Sequence, residues 1–443
     1  MRSLILALVI VGVLLFFANG PYDADGRTSE ARAVRTDNPA TAMEIAIVWP
    51  PTDGQFFVEG ARMAIDEINQ RGGVKIANAK EQAVQVPLKA HLFHEPSKAA
   101  TGRFAARLAG NINLSAVIGH NSPDGAIAAS VAYEDNGLVY VSPNVADLRL
   151  NSHGLRMCFQ SIPDDKAISA ALIRFALSRG WTSAAILYPR DTYGTAYANL
   201  LREQIGQLRT KVSKNAVETV PMNLALQESY SDSSEGFYLL ISELLEKKFD
   251  VVIVADSLVG TTAPRALKLV KQLREMGVSQ PILGTEELNL ITLWNALGPR
   301  ANNIYAAAMF DYESQRSTPA SRSFASEFAA RHRVQPTEQA GAGYEAVMLL
   351  VQAAERARSK VPIKMATMFK STHDWNGLQG EKKYDFNLNG TVRDKAIWMH
   401  AMRDGRIIEV ADTAGERVVV SLSHYSNLDS QPSNLRSARL HTR

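Results

Sequence analysis

The stretch that decides the fold begins Glu44-Ile-Ala-Ile-Val-Trp49 and continues, after a short loop, into Phe57-Val-Glu-Gly-Ala-Arg-Met-Ala-Ile-Asp-Glu-Ile-Asn69. The first part is a nearly continuous apolar run, which is typical of a strand buried on both faces. The second part has apolar residues at helical spacing. A buried strand followed by an amphipathic helix predicts a parallel sheet covered by helices.

The same alternation continues along the chain. Before residue 290 we predict strands at 44–49, 85–93, 115–119, 138–142, 182–188, 216–220, 250–256 and 281–284. Helices are predicted at 99–109, 167–179, 193–208, 236–247 and 263–276. Later come an apolar run at 304–310, helices at 323–332 and 343–358, and a hairpin-like segment at 380–390 before 395–402. A chain of 443 residues exceeds what one core usually organises, so we expect two α/β lobes.

The amino terminus predicts export. An apolar run extends from Leu4 to Ala18, whereas a helix that crosses a membrane needs about 20 residues. We therefore assign residues 1–20 as a signal peptide or an uncleaved N-terminal anchor, and residues 21–43 as a linker. The only cysteine is Cys158, which excludes an intrachain disulfide and a lipid-bearing cysteine after the apolar run. These features indicate the periplasm, with anchoring to the inner membrane as the alternative.

Composition and motifs exclude several functions. The chain has 48 Lys and Arg against 45 Asp and Glu, so it lacks the basic footprint of a nucleic-acid-binding protein. The letters Gly341-Ala-Gly-Tyr-Glu-Ala346 match a dinucleotide fingerprint, but the preceding residues are polar, so we interpret them as a helix start. We expect no cofactor, no metal and no nucleic-acid partner.

Several segments, in order, resemble a known family. They are Gly60-Ala-Arg-Met-Ala-Ile-Asp-Glu-Ile-Asn-Gln-Arg-Gly-Gly73, Val117-Ile-Gly-His120, Ala132-Tyr-Glu-Asp-Asn-Gly-Leu-Val-Tyr-Val-Ser-Pro143, Asp191-Thr-Tyr-Gly194, Gln272-Leu-Arg-Glu-Met-Gly277, Pro281-Ile-Leu-Gly-Thr-Glu286 and Tyr384-Asp-Phe-Asn-Leu-Asn-Gly390. The chain resembles the type I periplasmic binding proteins of branched-chain amino-acid ABC transporters, the Leu/Ile/Val-binding group. The resemblance implies two Rossmann-like lobes with parallel sheets, joined by a hinge that the chain crosses three times.

The resemblance also implies lobe boundaries. We expect residues 44–162 and 290–375 in an N-terminal lobe, residues 163–289 and 376–410 in a C-terminal lobe, and residues 411–443 as a tail. Open parallel sheets bind ligands beyond the carboxyl ends of their strands, so the loops there are the candidate site. The candidate ligand-binding residues are Trp49, Ser122, Asp124, Asn144, Tyr193, Asp256 and Glu286.

Each candidate has a structural alternative. Ser122, followed by Pro123, also fits a helix N-cap. Asn144 and Asp256 also fit turns, and Trp49 also fits the core. The resemblance implies that Tyr193 covers the ligand and that Glu286 pairs with its ammonium group. Tyr193 also fits an aromatic residue at a helix start that packs against a neighbouring loop, and Glu286 also fits a solvated loop carboxylate. Two features argue against an ordinary branched-chain amino acid as the ligand. Asp124 lies near the expected site of the ligand carboxylate, and residues 123, 145 and 146 depart from the family pattern.

We therefore expect a monomeric, non-enzymatic protein that binds a small polar ligand, namely an amino acid, an amide or a related organic acid. Its partner would be an ABC transporter permease in the inner membrane. The alternative is a membrane-tethered ligand sensor that signals to a membrane partner. A third possibility is an exported hydrolase, for which Ser122, His120 and Asp124 are the group to test.

Overall fold

The computed structural model describes residues 26–50, 56–210, 222–231, 234–256, 265–288, 295–312, 317–371, 373–378 and 385–410. Its strands are β1 Met43–Trp49, β2 Val74–Ala77, β3 Ala83–Val86, β4 Leu88–His94, β5 Leu114–Gly119, β6 Val139–Ser142, β7 Cys158–Gln160, β8 Ser183–Pro189, β9 Asn223–Tyr230, β10 Val251–Val254, β11 Ile282–Gly284, β12 Ile304–Ala308, β13 Asp385–Phe386, β14 Val392–Arg393, β15 Trp398–Arg403 and β16 Arg406–Glu409. Its longer helices are α1 Arg27–Thr36, α2 Phe57–Gln70, α3 Lys98–Ala109, α4 Pro123–Asp135, α5 Asp165–Ser178, α6 Thr192–Thr210, α7 Ser234–Leu245, α8 Arg265–Glu275, α9 Pro319–His332, α10 Glu338–Ala357 and α11 Pro362–Ser371.

Two sheets organise two lobes. The first has the order β4-β1-β5-β6-β7 and is parallel throughout. The second has the order β16-β15-β12-β11-β10-β8-β9 and is parallel except for β15, which pairs antiparallel with both β12 and β16. The central strands β5, β6, β10 and β11 are buried along their whole length, as expected for parallel strands covered by helices on both faces.

The chain passes between the lobes three times: after β7, after β12, and between β14 and β15. Helices α10 and α11 pack on the first lobe after the second crossing, with α10 against α2. The predicted two-lobe α/β fold with a three-crossing hinge is therefore confirmed.

The predicted lobe boundaries need two corrections. Residues 290–375 were assigned to the first lobe, but β12 pairs with β11 and β15 in the second sheet. Residues 376–410 were assigned to the second lobe, but β13 and β14 lie on the first lobe, where Gln160 N donates to Gly390 O (2.9 Å). The cause is burial, since all of β12 is buried between two strands and Phe386 packs edge-on against Phe159.

The predicted linker also needs a correction, because it contains helix α1. The Arg32 side chain is fully buried and donates to the carbonyl oxygens of Asn111 (2.9 Å), Leu114 (3.0 Å), Asn136 (3.2 Å) and Ala109. Three of these acceptors lie at or just after the carboxyl ends of α3 and α4, where helix dipoles favour a cation. Helix α1 is thus anchored by a charged residue, which apolar periodicity cannot reveal.

Helices α2 and α10 cross closely through glycines. A Cβ atom at Gly60 would overlap the carbonyl oxygen of Ala340, and one at Gly343 would overlap that of Phe57. The segment Gly341–Ala346 therefore belongs to a helix, as predicted, and supplies a packing contact instead of a phosphate loop. The strand predicted at 216–220 lies outside the described residues, and β9 follows at Asn223–Tyr230. The predicted export segment and tail also lie outside them.

Candidate functional site

The carboxyl ends of both sheets face a narrow pocket between the lobes. The first lobe lines it with Asn121, Pro123, Asn144, Val145 and Ala146. The second lobe lines it with Asp165, Ile168, Tyr193, Thr285 and Glu286. Its free volume is about 10 Å³, roughly the space of one water molecule. A wider pocket of about 660 Å³ shares Asp165 and Tyr193 with it.

Tyr193 and Asp165 form the centre of the second-lobe wall. Tyr193 lies in the first turn of α6, where Asp191 Oδ1 accepts from Gly194 N (2.8 Å) and caps the helix. The Tyr193 hydroxyl donates to Asp165 Oδ1 (3.0 Å). Asp165 N in turn donates to Ala146 O of the first lobe (2.9 Å). Asp165 therefore links the two lobes through its backbone and its carboxylate.

Burial controls the charge of these carboxyl groups. Asp165 is 5% exposed, and burial followed by the neighbouring Asp147 charge raises its pKa well above the ordinary value. Burial also raises the pKa of Glu286. Buried carboxylates are costly unless they meet a cation or hydrogen-bond donors. Both groups therefore favour a ligand that supplies donors or positive charge.

Glu287 differs from its neighbour Glu286. It is fully buried and its carboxylate accepts from Thr285 N (3.2 Å) and from the Thr285 hydroxyl. Burial and the adjacent Glu286 charge raise the pKa of Glu287 well above the ordinary value. Glu287 thus orders the loop after β11, and Glu286 is the carboxyl group that reaches the pocket.

A chain of amides forms the first-lobe wall. Asn144 Nδ2 donates to Asn121 Oδ1 (2.6 Å), and Gln339 Nε2 donates to Asn144 Oδ1. Gln339 is buried at the start of α10, so the returning segment of the first lobe orients Asn144. The structure therefore brings Asn144, Tyr193 and Glu286 to one pocket. Asn144 and Glu286 were selected because they follow strands, and Tyr193 was selected from the family resemblance.

Two of the other four candidates lie beside strands or helices without reaching the pocket. The Trp49 ring stacks on Phe57, with centroids 3.6 Å apart, and is 2% exposed in the core. Alternation along β1 places Trp49 on the same core face as Ile45 and Ile47. Ser122 is the N-cap of α4, and its hydroxyl accepts from Gly125 N (3.0 Å).

Asp124 and Asp256 form ion pairs elsewhere. Asp124 pairs with Lys98 and Arg149 (3.2 Å), and the hydrogen bond from Lys98 is the largest cause of its lowered pKa. Asp256 is 1% exposed and accepts from Tyr230 Oη (2.6 Å) and from Arg265 (2.9 Å). Asp256 thus holds the end of β10 instead of lining the pocket.

The hydrolase group is not assembled in the part of the chain that the structure describes. His120 is fully buried, with one ring nitrogen 2.9 Å from Tyr133 Oη and the other 3.4 Å from Glu95 Oε1. The Ser122 hydroxyl is engaged as a helix cap. Within the same described residues, no three His, Cys, Asp or Glu side chains are grouped to hold a metal ion.

Sequence reasoning missed three residues at this site: Asp165, Gln339 and Glu95. Asp165 was not selected because it follows the N-cap residue Asp164, and an acidic residue in the first turn of a helix is common without any ligand role. Gln339 reaches the site from a distant part of the chain. Glu95 directly follows β4, and its position after a strand was the one available signal.

Comparison with known proteins decides the family. A sequence profile of the periplasmic binding protein family matches residues 51–411. The chain belongs to this family. An amino acid binding protein from Pseudomonas aeruginosa is 24% identical, with 78% of this chain and 85% of the relative covered. The leucine-, isoleucine-, valine-, threonine- and alanine-binding protein of the same organism is 23% identical, with 75% and 83% covered.

Solved structures show the same fold. A leucine binding protein from Thermotoga maritima superposes with a TM-score of 0.70 at 18% identity, covering 84% of this chain and 98% of that one. The predicted resemblance and fold are thereby confirmed. Family membership implies a periplasmic location. Among the described residues, no helix combines the length and apolar character needed to cross a membrane, and the predicted anchor is not confirmed. These relatives are named as binding proteins and lend no support to the sensor alternative.

Proposed function

We propose that this periplasmic binding protein captures a small polar ligand between its lobes and delivers it to the permease of an ABC importer, without catalysis. The main support for this proposal is that polar groups from both lobes converge on one pocket at the carboxyl ends of the sheets. Asn121 and Asn144 supply amides from one lobe, and Asp165, Tyr193 and Glu286 supply a hydroxyl and carboxyl groups from the other.

Binding without chemistry fits these contacts. The amide chain and the Tyr193–Asp165 bond orient groups that recognise donors and acceptors. A ligand held from both sides favours lobe closure through the contacts it makes only in the closed form. Closure of this kind presents ligand occupancy to a permease as a change of shape. We expect the mature chain to act as a monomer.

Thermal unfolding with a panel of amino acids, amides, amines and organic acids tests the proposal. A ligand at about 100 times its dissociation constant adds roughly 2.7 kcal/mol to the free energy of unfolding. Melting curves unchanged by every compound would overturn the proposal.

Two matched Tyr→Phe variants test the location of the site. Tyr193→Phe removes the hydroxyl that bonds Asp165, and we expect weaker ligand binding by about 1–3 kcal/mol. Tyr230→Phe removes an equivalent bond to Asp256 outside the pocket, so it should lower stability while ligand affinity is retained. Equal effects of both variants on affinity would place the site elsewhere.

Uptake of the same ligand by cells tests delivery. Deleting the gene for this chain should abolish high-affinity uptake of the labelled ligand, and the wild-type chain should restore it. Turnover of the ligand by the purified protein would contradict a purely binding role.

A further inference from the structure

An internal carboxylate occupies the anion site at the start of helix α4. Backbone N–H groups at a helix N-terminus form a ready-made anion site. In this chain Glu95 Oε2 accepts from Asn121 N (2.9 Å) and Oε1 accepts from Ser122 N (3.4 Å). His120 Nδ1 lies 3.4 Å from the same carboxylate, whose side chain is 8% exposed. These donors are therefore already engaged by the protein itself.

The Glu95 carboxylate also lies close to the first turn of α4. A Cβ atom at Gly125 would lie 3.0 Å from Glu95 Oε1, so the carboxylate already rests against the first turn of α4. Asp124 in that turn pairs with Lys98 and Arg149, so among the residues that the structure describes the carboxylate that faces this end of the pocket without a Lys or Arg partner in an ion pair is that of Glu95. A ligand carboxylate at this end of the pocket would face the like charge of Glu95, which disfavours its binding.

The narrow pocket itself has carboxyl groups and no basic residue. Asp165 and Glu286 line it, and none of the lining residues is Lys, Arg or His. In the described part of the chain, basic residues line only the wider pocket, where Arg149 and Arg202 lie on the side away from Glu286. Arg149 is engaged there by Asp147 and Asp124, and Arg265, which lines neither pocket, is engaged by Asp191 and Asp256.

A second observation beside Asp165 also indicates a ligand. The Tyr197 ring stacks on Tyr193, and both line the wider pocket with Asp165. Tyr197 is 1% exposed, and its hydroxyl makes no hydrogen bond within the described residues. A buried hydroxyl without a partner is costly, so a polar ligand group that bonds it would contribute to affinity.

We propose that the ligand is a small organic cation that carries N–H donors and lacks a carboxylate, such as an alkyl amine, a diamine or a guanidinium compound. Its cationic group bonds Asp165 and Glu286, and in a diamine or guanidinium compound Asn121 and Asn144 contact the further N–H groups. This inference rests on the proposed function, since it names the ligand class for the same pocket.

Matched pairs of ligands that differ only in the carboxylate test the inference. The pairs are isoamylamine with leucine, cadaverine with lysine, putrescine with ornithine, and agmatine with arginine. In calorimetric titration of the purified mature chain, we expect the amine of the binding pair to bind at least ~100-fold tighter than the amino acid. Tighter binding of the amino acids, or of neutral amides or organic acids, would overturn this inference and leave the proposed function standing. Binding of none of these classes would overturn both.

Variants assign the effect to individual carboxylates. Asp165→Asn and Glu286→Gln should each weaken amine binding at least ~10-fold, whereas Glu243→Gln, on the exposed face of α7, should not. Unchanged amine affinity in both pocket variants would contradict the proposal.

Glu95 variants test the internal carboxylate. Glu95→Ala uncovers the N–H groups of Asn121 and Ser122, so the affinity for amino acids relative to amines should rise at least ~10-fold. Glu95→Gln keeps the shape and should give a smaller rise, and circular dichroism establishes that both variants fold. An unchanged ratio in both folded variants would show that Glu95 does not exclude carboxylates.

Discussion

Replacing Arg32 by Ala tests whether helix α1 is part of the folded first lobe. The Arg32 guanidinium donates to four carbonyl oxygens: those of Ala109 and Asn111 at the end of α3, Asn136 after α4, and Leu114 at the start of β5. A hydrogen bond that involves a charged group contributes about 1.5–3 kcal/mol. Burial opposes this, since it lowers the pKa of Arg32 to about 10, which corresponds to roughly 3 kcal/mol of lost charge stabilisation. Four bonds at the smaller value contribute about 6 kcal/mol. After the cost of burial is subtracted, Arg32→Ala should lower the free energy of unfolding by about 3 kcal/mol.

Urea unfolding, followed by circular dichroism, measures this loss. The control is Arg35→Ala on the same helix, because Arg35 is exposed and makes one hydrogen bond to Asn113 Oδ1 (2.6 Å). An exposed polar contact of this kind contributes less than about 1 kcal/mol. Arg32→Lys should be intermediate, since a single ammonium group has three donors for four acceptors. Equal losses for Arg32→Ala and Arg35→Ala would refute the anchoring role of Arg32.

Three further predictions concern stability and processing. At neutral pH Glu287→Gln should stabilise the protein. Because the pKa of Glu287 is raised in the folded state, the folded protein holds a proton that the unfolded chain releases above about pH 4.5. The free energy of unfolding of the wild-type protein therefore falls as pH rises. Parallel urea midpoints for both proteins from pH 5 to 8 would contradict this. Gly60→Ala should lower the free energy of unfolding by about 1–3 kcal/mol, because the new methyl group overlaps Ala340 O. Gly102→Ala is the control: its methyl group meets nothing within 4 Å, so it should raise the free energy of unfolding by about 0.5–1 kcal/mol. Equal urea midpoints for the two variants would contradict the packing argument. The exported protein should retain Arg32. Intact-mass spectrometry that shows a mature chain beginning at Val34 would contradict the anchoring of α1 by Arg32.

Much of the fold could be predicted because parallel strands are buried on both faces. The runs that form β1, β5, β8 and β10 are almost wholly apolar and stand out in the sequence. Strand β2 was missed, and the strand predicted at 85–93 merged the end of β3 with β4, because β2 and β3 have four residues each and expose several of them. Strand β7 has three residues, which is too short for any periodicity.

The site was predictable in part for a different reason. The position after a strand is visible in the sequence and selected Asn144 and Glu286, whereas Tyr193 came from the family resemblance; all three line the narrow pocket. The direction of a side chain at that position is set by the pleat and by local partners. Trp49 therefore faces the core, and Asp124 turns toward Lys98 and Arg149. Periodicity carries no signal for a contact such as Arg32 with Asn136, which joins two distant segments.

In the proposed function, Asp165 is the residue that connects ligand binding with lobe closure. This residue starts the first helix after the chain leaves the first lobe, and its backbone N–H still bonds Ala146 O of that lobe. Its carboxylate meets Tyr193 of the second lobe. A ligand that bonds Asp165 and the Asn121–Asn144 amides therefore contacts both sides of the hinge at once. Because separation of the lobes would break one set of these contacts, the ligand favours the closed form by the free energy of that set.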